Sequence, residues 1–235
     1  MIKIAVFGCG WGGELFAEYL EKDLVVVEVI RLNDYPHAPY GALSWLQICE
    51  LTERAVKPAI GKVEVIVLAS CAATVGAINF LREKYPEQRF IGFEPRMMEA
   101  FGRFEPKRVM LIASAPVRKS IGYKVEKERL SVSAEILEPD CLEWLRYADQ
   151  EEMTELRLKK SLERQGIEKK MDVTKQIDAV IIYETSLADM KEAFEKVVGW
   201  QAMVINGFEQ VRREVCAAVG LLGMDGSVKN KMRPS

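Results

Sequence analysis

Five cysteines, one histidine and a cluster of glycines are the residues here whose types and spacing bear on chemistry. The cysteines are Cys9, Cys49, Cys71, Cys141 and Cys216. They are scattered, odd in number and without a CxxC pair. That pattern argues against a disulfide framework and for a reducing compartment, so a cytoplasmic location is expected. The lone histidine, His37, excludes any site built on two histidines, HExxH included. It lies in a proline-flanked loop, where solvent exposure or bonding within the loop is expected rather than catalysis. Cys9 and Cys71 each follow a strand-like run at what should be one sheet edge. With Glu184 or His37 they supply ligand-type atoms, but the spacing carries no metal signature and no metal is expected. Glu184 closes the apolar run that starts at Ala179, and a carboxylate there must find a partner. It reads either as a hydrogen-bonded strand-end residue or as a base. Cys71 reads either as a small buried residue or as a thiol base. Cys49, Cys141 and Cys216 lie among apolar or helical neighbours and read as packing residues.

Gly8-Cys9-Gly10-Trp11-Gly12-Gly13 follows a strand and opens a helix. Gly8, Gly10 and Gly13 match the GxGxxG spacing of dinucleotide sites, with a tight turn, close backbone approach and a helix N-terminus facing the anion. Asp34 is the one acid placed to hold a ribose. The bulky Trp11 inside the turn is awkward for that ligand. A tight strand-to-helix turn in any α/β protein, or a site for a small carboxylate, fits the same glycines.

These residues need a frame, and the pattern supplies one. Strand-like runs cover Ile2–Phe7, Val25–Leu32, Val63–Ala69 and Arg89–Phe93, then Arg108–Ala113, Leu130–Leu137, Ala179–Tyr183 and Ala202–Ile205. Helical spacing fills the intervals, at Gly13–Glu21, Leu43–Val56, Thr74–Tyr85, a short helix after Pro116, most of Asp140–Gly166, Leu187–Val197 and Phe208–Leu221. Asp140 reads as a cap. Short apolar strands alternating with helices mean parallel sheets covered on both faces. Two such sets predict two flavodoxin-like α/β domains with a cleft between them. The first is expected at residues 1–93 plus 206–235 and the second at 94–205. Ser227 to Ser235 is a polar tail expected to be disordered.

The chain has 235 residues, enough for a sizeable core, and 33 basic residues nearly balance 35 acidic ones. No bulk electrostatic case for nucleic acid or an anionic membrane follows. Arg157 to Lys175 holds seven basic residues against three acids, which reads as a solvated helix face. The uncharged run from Val65 to Phe80 contains Ser70, Cys71, Thr74, Gly76 and Asn79 and is no membrane span.

Five segments in order resemble the aspartate/glutamate racemase superfamily, glutamate racemases above all. Phe7 to Gly13 resembles the family's F-D-S-G-V-G-G opening. Asp34 to Gly41 resembles the loop that ends in P-Y-G, here Pro39, Tyr40 and Gly41. Ile91 to Pro95 is similar to G-V-I-E-P, and Lys119 to Tyr123 to K-S-x-x-Y. Asp178 to Ala188 stands where the family has D-x-L-V-L-G-C-T-H-Y-P. The likeness runs from residue 2 to about 222.

The resemblance implies a cofactor-free reaction in which two thiols, one on each face of a substrate α-carbon, remove and return a proton. It implies a small amino or carboxylic acid as partner, and often a homodimer. A gapless alignment puts Ser70 at the first thiol position, with Cys71 at the neighbouring asparagine. Glu184 takes the second thiol position and Ser186 that of the family's histidine. The opening Asp-Ser pair becomes Gly8-Cys9, and the family's T-x-x-T becomes Ser114 and Val117. The reading that follows is a racemase-like protein with an altered base pair of Cys71 and Glu184, with Ser70 or Cys9 nearby. Gly8, Cys9, Gly10, Pro39, Tyr40, Gly41, Ala72, Thr74, Ser114, Thr185 and Ser186 are the expected substrate contacts. A catalytically inactive protein that binds a small carboxylate, and a dinucleotide-binding protein, are the alternatives.

Overall fold

Strands that read as unbroken apolar runs are strands covered on both faces, and the two sheets here are of that kind. The computed structural model describes residues 1–94, 96, 99, 101–150, 152–167, 176–199, 201–223 and 228. The first sheet holds β1 (Ile2–Gly8), β2 (Val27–Asn33), β3 (Val65–Leu68) and β4 (Arg89–Gly92) in the order β2-β1-β3-β4. The second holds β5 (Arg108–Ile112), β6 (Glu135–Leu137), β7 (Ala179–Ile182) and β8 (Met203–Ile205) in the order β6-β5-β7-β8. Every neighbouring pair is parallel. All residues of β3, β5 and β7 are buried.

The helices are α1 (Trp11–Asp23), α2 (Trp45–Val56), α3 (Cys71–Lys84), α4 (Ala115–Lys119), α5 (Ile121–Ser131), α6 (Leu142–Asp149), α7 (Glu155–Arg164), α8 (Lys191–Val198) and α9 (Phe208–Ala218). Local chemistry starts several of them. Ser44 and Gln47 form a reciprocal cap at α2, and Ser70 accepts the Ala73 amide at 3.2 Å to cap α3. Two expectations fail at boundaries. Leu130 belongs to α5, where it joins Tyr123 and Glu126 on the buried face, so the strand shrinks to Glu135–Leu137. The single helix expected over Asp140–Gly166 is two helices, because Thr154 caps a new one by accepting the Arg157 amide. Asp140 accepts the Leu142 amide at 3.0 Å at the start of α6.

One apolar cluster runs through both halves, joining Ile4, Val6 and Phe16 to Val109, Leu111 and Ile181. The closing helix α9 returns to the first sheet. Its Phe208 sits edge-on to Phe16 and Phe93 at 5.1 and 5.6 Å, and Arg89 donates to the Ala218 carbonyl. No described helix is long and apolar enough to cross a membrane. Pro95, residues 168–175 of the basic segment, and the polar tail apart from Val228 lie outside the described residues.

Candidate functional site

A sheet ordered 2-1-3-4 changes winding direction between its two central strands, and ligands of α/β proteins bind at the carboxyl end of that switch. Both sheets have the same order, so there are two switches, β1/β3 and β5/β7. Cys9 follows β1, Ser70 and Cys71 follow β3, Ser114 follows β5 and Glu184 follows β7. The two carboxyl edges meet. Thr185 Oγ1 donates to the Ala69 carbonyl at 2.9 Å, and the Gly12 amide donates to Ser186 Oγ at 3.2 Å. The Thr185 amide stands against the Cys71 sulfur.

Glu184 is 6% exposed, and the Ser114 amide donates to its Oε1 at 2.6 Å. Burial pushes its carboxyl up to about 7. Ser114 and the more distant Arg118 oppose that rise, and Asp149 adds to it. Cys71 is the first residue of α3 and is 1% exposed. Burial raises its thiol well above the usual range, Glu184 and Cys9 raise it further, and the Thr185 amide lowers it. Cys9 Sγ lies 3.0 Å from Ser70 Oγ. Its thiol is pushed up to about 12, chiefly by burial, with Ser70 opposing.

Asp149, at the end of α6, completes the site, and nothing in the local sequence marks it. The Trp11 amide and the Ser186 hydroxyl each donate to its Oδ1 at 3.0 Å. A Cβ on Gly10 would come within 2.0 Å of that oxygen, so the glycine turn is open because Asp149 enters it. The amino end of α1, where a dinucleotide phosphate would lie, therefore holds an internal carboxylate. Asp34 is committed elsewhere, to Tyr40 Oη at 2.7 Å and His37 Nδ1 at 2.6 Å.

The other expected contacts divide. Gly41 packs against Ser114, and Tyr40 is fully buried with its hydroxyl on Asp34. The Tyr40 amide faces the Cys9 sulfur. Ala72 lies in the first turn of α3, and Pro39 follows a cis peptide. Thr74 is one turn further on. Its hydroxyl donates to the Ser70 carbonyl at 2.8 Å and accepts the Phe93 amide at 3.1 Å, a structural tie between α3 and the end of β4. Cys141 is buried within electrostatic reach of Glu184, whereas Cys49 lies in the cluster under α2 and α3 and Cys216 in the central one. Among the described residues, no group of three or more His, Cys, Asp or Glu side chains could hold a metal ion.

No family model matches the chain. Glutamate racemase of Clostridium perfringens is 25% identical over 232 residues, covering 97% of this chain and 87% of that protein. The chain belongs to the aspartate/glutamate racemase superfamily. Glutamate racemase of Bifidobacterium adolescentis is 35% identical over 113 residues, but the match spans less than half of that relative, 43% of its length. The crystal structure of Escherichia coli glutamate racemase, solved with L-glutamate and an activator, UDP-MurNAc-Ala, superposes with a TM-score of 0.78 at 20% identity. It covers 93% of this chain and 82% of that one. Within the superfamily fold, this chain keeps the glycine turn and the Pro39-Tyr40-Gly41 loop and carries Glu184 where the resemblance expects a second thiol.

Proposed function

We propose that this protein transfers a proton at the α-carbon of a small amino or carboxylic acid, without a cofactor, between Glu184 and Cys71. One observation carries the reading: a buried carboxylate at the end of β7, pushed up to about 7, shares a site with the thiol that opens α3. A base works best when its pKa lies near the operating pH, and Glu184 meets that condition. Cys71 is protonated at neutral pH and is suited to the acid role. Glu184 takes the α-proton from one face, and Cys71 gives its thiol proton to the other. The product state is a neutral Glu184 and a Cys71 thiolate, and the reverse transfers run the reaction backwards. The amino end of α3, fourteen residues long, faces the carbanion that forms between the two steps. Superfamily relatives named glutamate racemase support an amino acid as substrate.

The test is α-proton exchange in deuterated water with glutamate, aspartate and related acids. Exchange is expected, with Glu184→Gln and Cys71→Ala each lowering it by roughly 10²- to 10⁴-fold. No exchange with any acid at high protein concentration overturns the reading. A second reading, a carboxylate-binding protein without turnover, is favoured by the protonated Cys71 and by a serine, Ser70, at the first thiol position. It requires thermal stabilisation by one of the same acids with no exchange.

A further inference from the structure

Asp149 uses one of its two oxygens. The Trp11 amide and the Ser186 hydroxyl both donate to Oδ1, and among the described residues no hydrogen bond reaches Oδ2. Burial raises the carboxyl, and the same two donors oppose the rise by favouring its charged form. A largely buried carboxylate with an idle oxygen calls for a cation. An ammonium group, a compact donor of three hydrogen bonds, fits that oxygen. Asp149 is near enough to raise both Glu184 and Cys9, so its field covers the reaction centre. Ser114 is 4% exposed, and its hydroxyl faces Glu184 without a hydrogen bond of good geometry. The centre therefore offers a ligand one charged acceptor and one hydroxyl.

The balance of charge around the centre is negative. Glu184 and Asp149 are both carboxylates, and the cation that opposes Glu184 most is Arg118, whose guanidinium donates to the Pro139 carbonyl. Arg96 and Lys119 line the cleft that opens beside Gly41 and Thr74. Arg96 is paired with Glu94 and Glu214, and Lys119 stands exposed at the far end of α4. A zwitterion with its ammonium on Asp149 brings no net charge to such a centre. A second acid group adds a like charge, which burial makes costly.

We propose that the substrate is a neutral α-amino acid, one with no acid group on its side chain, whose ammonium is held by Asp149. The assignment rests on the proton-transfer reading of the same site and narrows its substrate class. It excludes 2-hydroxy acids, which lack the ammonium, and it ranks glutamate and aspartate below neutral amino acids. Discrimination of this kind works by repulsion, through carboxylates already in the site.

The full chain is titrated by calorimetry at neutral pH with both enantiomers of alanine, serine, leucine, phenylalanine, glutamate and aspartate, and with lactate, which has a hydroxyl where alanine has its ammonium. At least one neutral amino acid is expected to bind about tenfold or more tightly than glutamate, aspartate and lactate. Asp149→Asn keeps an oxygen for the Trp11 amide and the Ser186 hydroxyl but removes the charge. It is expected to lose about tenfold or more in affinity for that amino acid, the size of one hydrogen bond to a charged group. Glu184→Gln is expected to narrow the gap between glutamate and the neutral amino acid, because one like charge is gone. Tightest binding of glutamate or aspartate overturns the assignment, as does lactate binding as well as alanine, unchanged affinity in Asp149→Asn, or no binding of any neutral amino acid. α-Proton exchange on the same acids separates the two readings. Exchange that favours glutamate overturns this assignment and leaves the proton transfer standing. Tight binding of a neutral amino acid without exchange of any acid does the reverse.

Discussion

At Glu184, burial and hydrogen bonding pull in opposite directions, and burial prevails. The carboxyl rises from 4.5 in the unfolded chain to about 7 in the folded one. The folded chain thus holds this proton more tightly than the unfolded chain. Its contribution to stability is fully present below pH 4.5, is lost as the pH rises to about 7, and is flat above that. Replacing the carboxylate by an amide keeps an oxygen for the Ser114 amide and removes the buried charge. Glu184→Gln is therefore expected to gain stability relative to the native chain between pH 5 and pH 8, by on the order of 3 kcal/mol. Urea denaturation at the two pH values measures it, and equal differences at both would refute the assignment. Under the proposed base role of Glu184, α-proton exchange is expected to climb with pH and to level off above about 7.

At the scale of elements, α1 ties the first sheet to the second. Its first turn receives Asp149 through the Trp11 amide and Ser186 through the Gly12 amide. A Cβ at Gly12 would lie 2.3 Å from Thr185 Oγ1 and 2.6 Å from the Ser186 backbone nitrogen. Backbone does not yield as a side-chain tip does. Gly12→Ala is expected to cost about 1–3 kcal/mol in thermal or chemical unfolding, with the loss falling on the contact between the two carboxyl edges. Hydrogen exchange should then speed up at Thr185 and Ser186. A variant as stable as the parent, with unchanged exchange there, would show that the edges do not depend on this close approach.

At the scale of the whole molecule, two sheets of the same strand order bring their switch points face to face, and a central apolar cluster runs through both. The chain closes on itself through α9. Phe208 is 8% exposed and sits among Phe16, Tyr19 and Phe93. Phe208→Ala is expected to destabilise by about 3–5 kcal/mol, the usual cost of removing a buried aromatic ring. Calorimetry reads it. A loss below about 1 kcal/mol would mean that α9 contributes little to the first sheet.

Strands such as Val65–Leu68 and Ala179–Ile182 were legible in the sequence because a parallel strand buried on both faces must be apolar along its whole length. The glycine turn, the Pro39-Tyr40-Gly41 loop and the acid at 184 were legible too, since each is a local signature. Boundaries were less so: Leu130 reads as strand or helix until the buried face of α5 decides. What the turn at Gly8–Gly13 is for was not legible at all. Its glycines fit a phosphate, a substrate carboxylate or a close packing contact equally well. Asp149, 138 residues further along from Trp11, settles that only when the second sheet is docked on the first. The same holds for the state of Glu184. Local sequence determined that a carboxylate would end β7, but its proton affinity depends on how much water the opposing edge removes and on which amide reaches it. Those are long-range contacts, and the tertiary structure alone decides them.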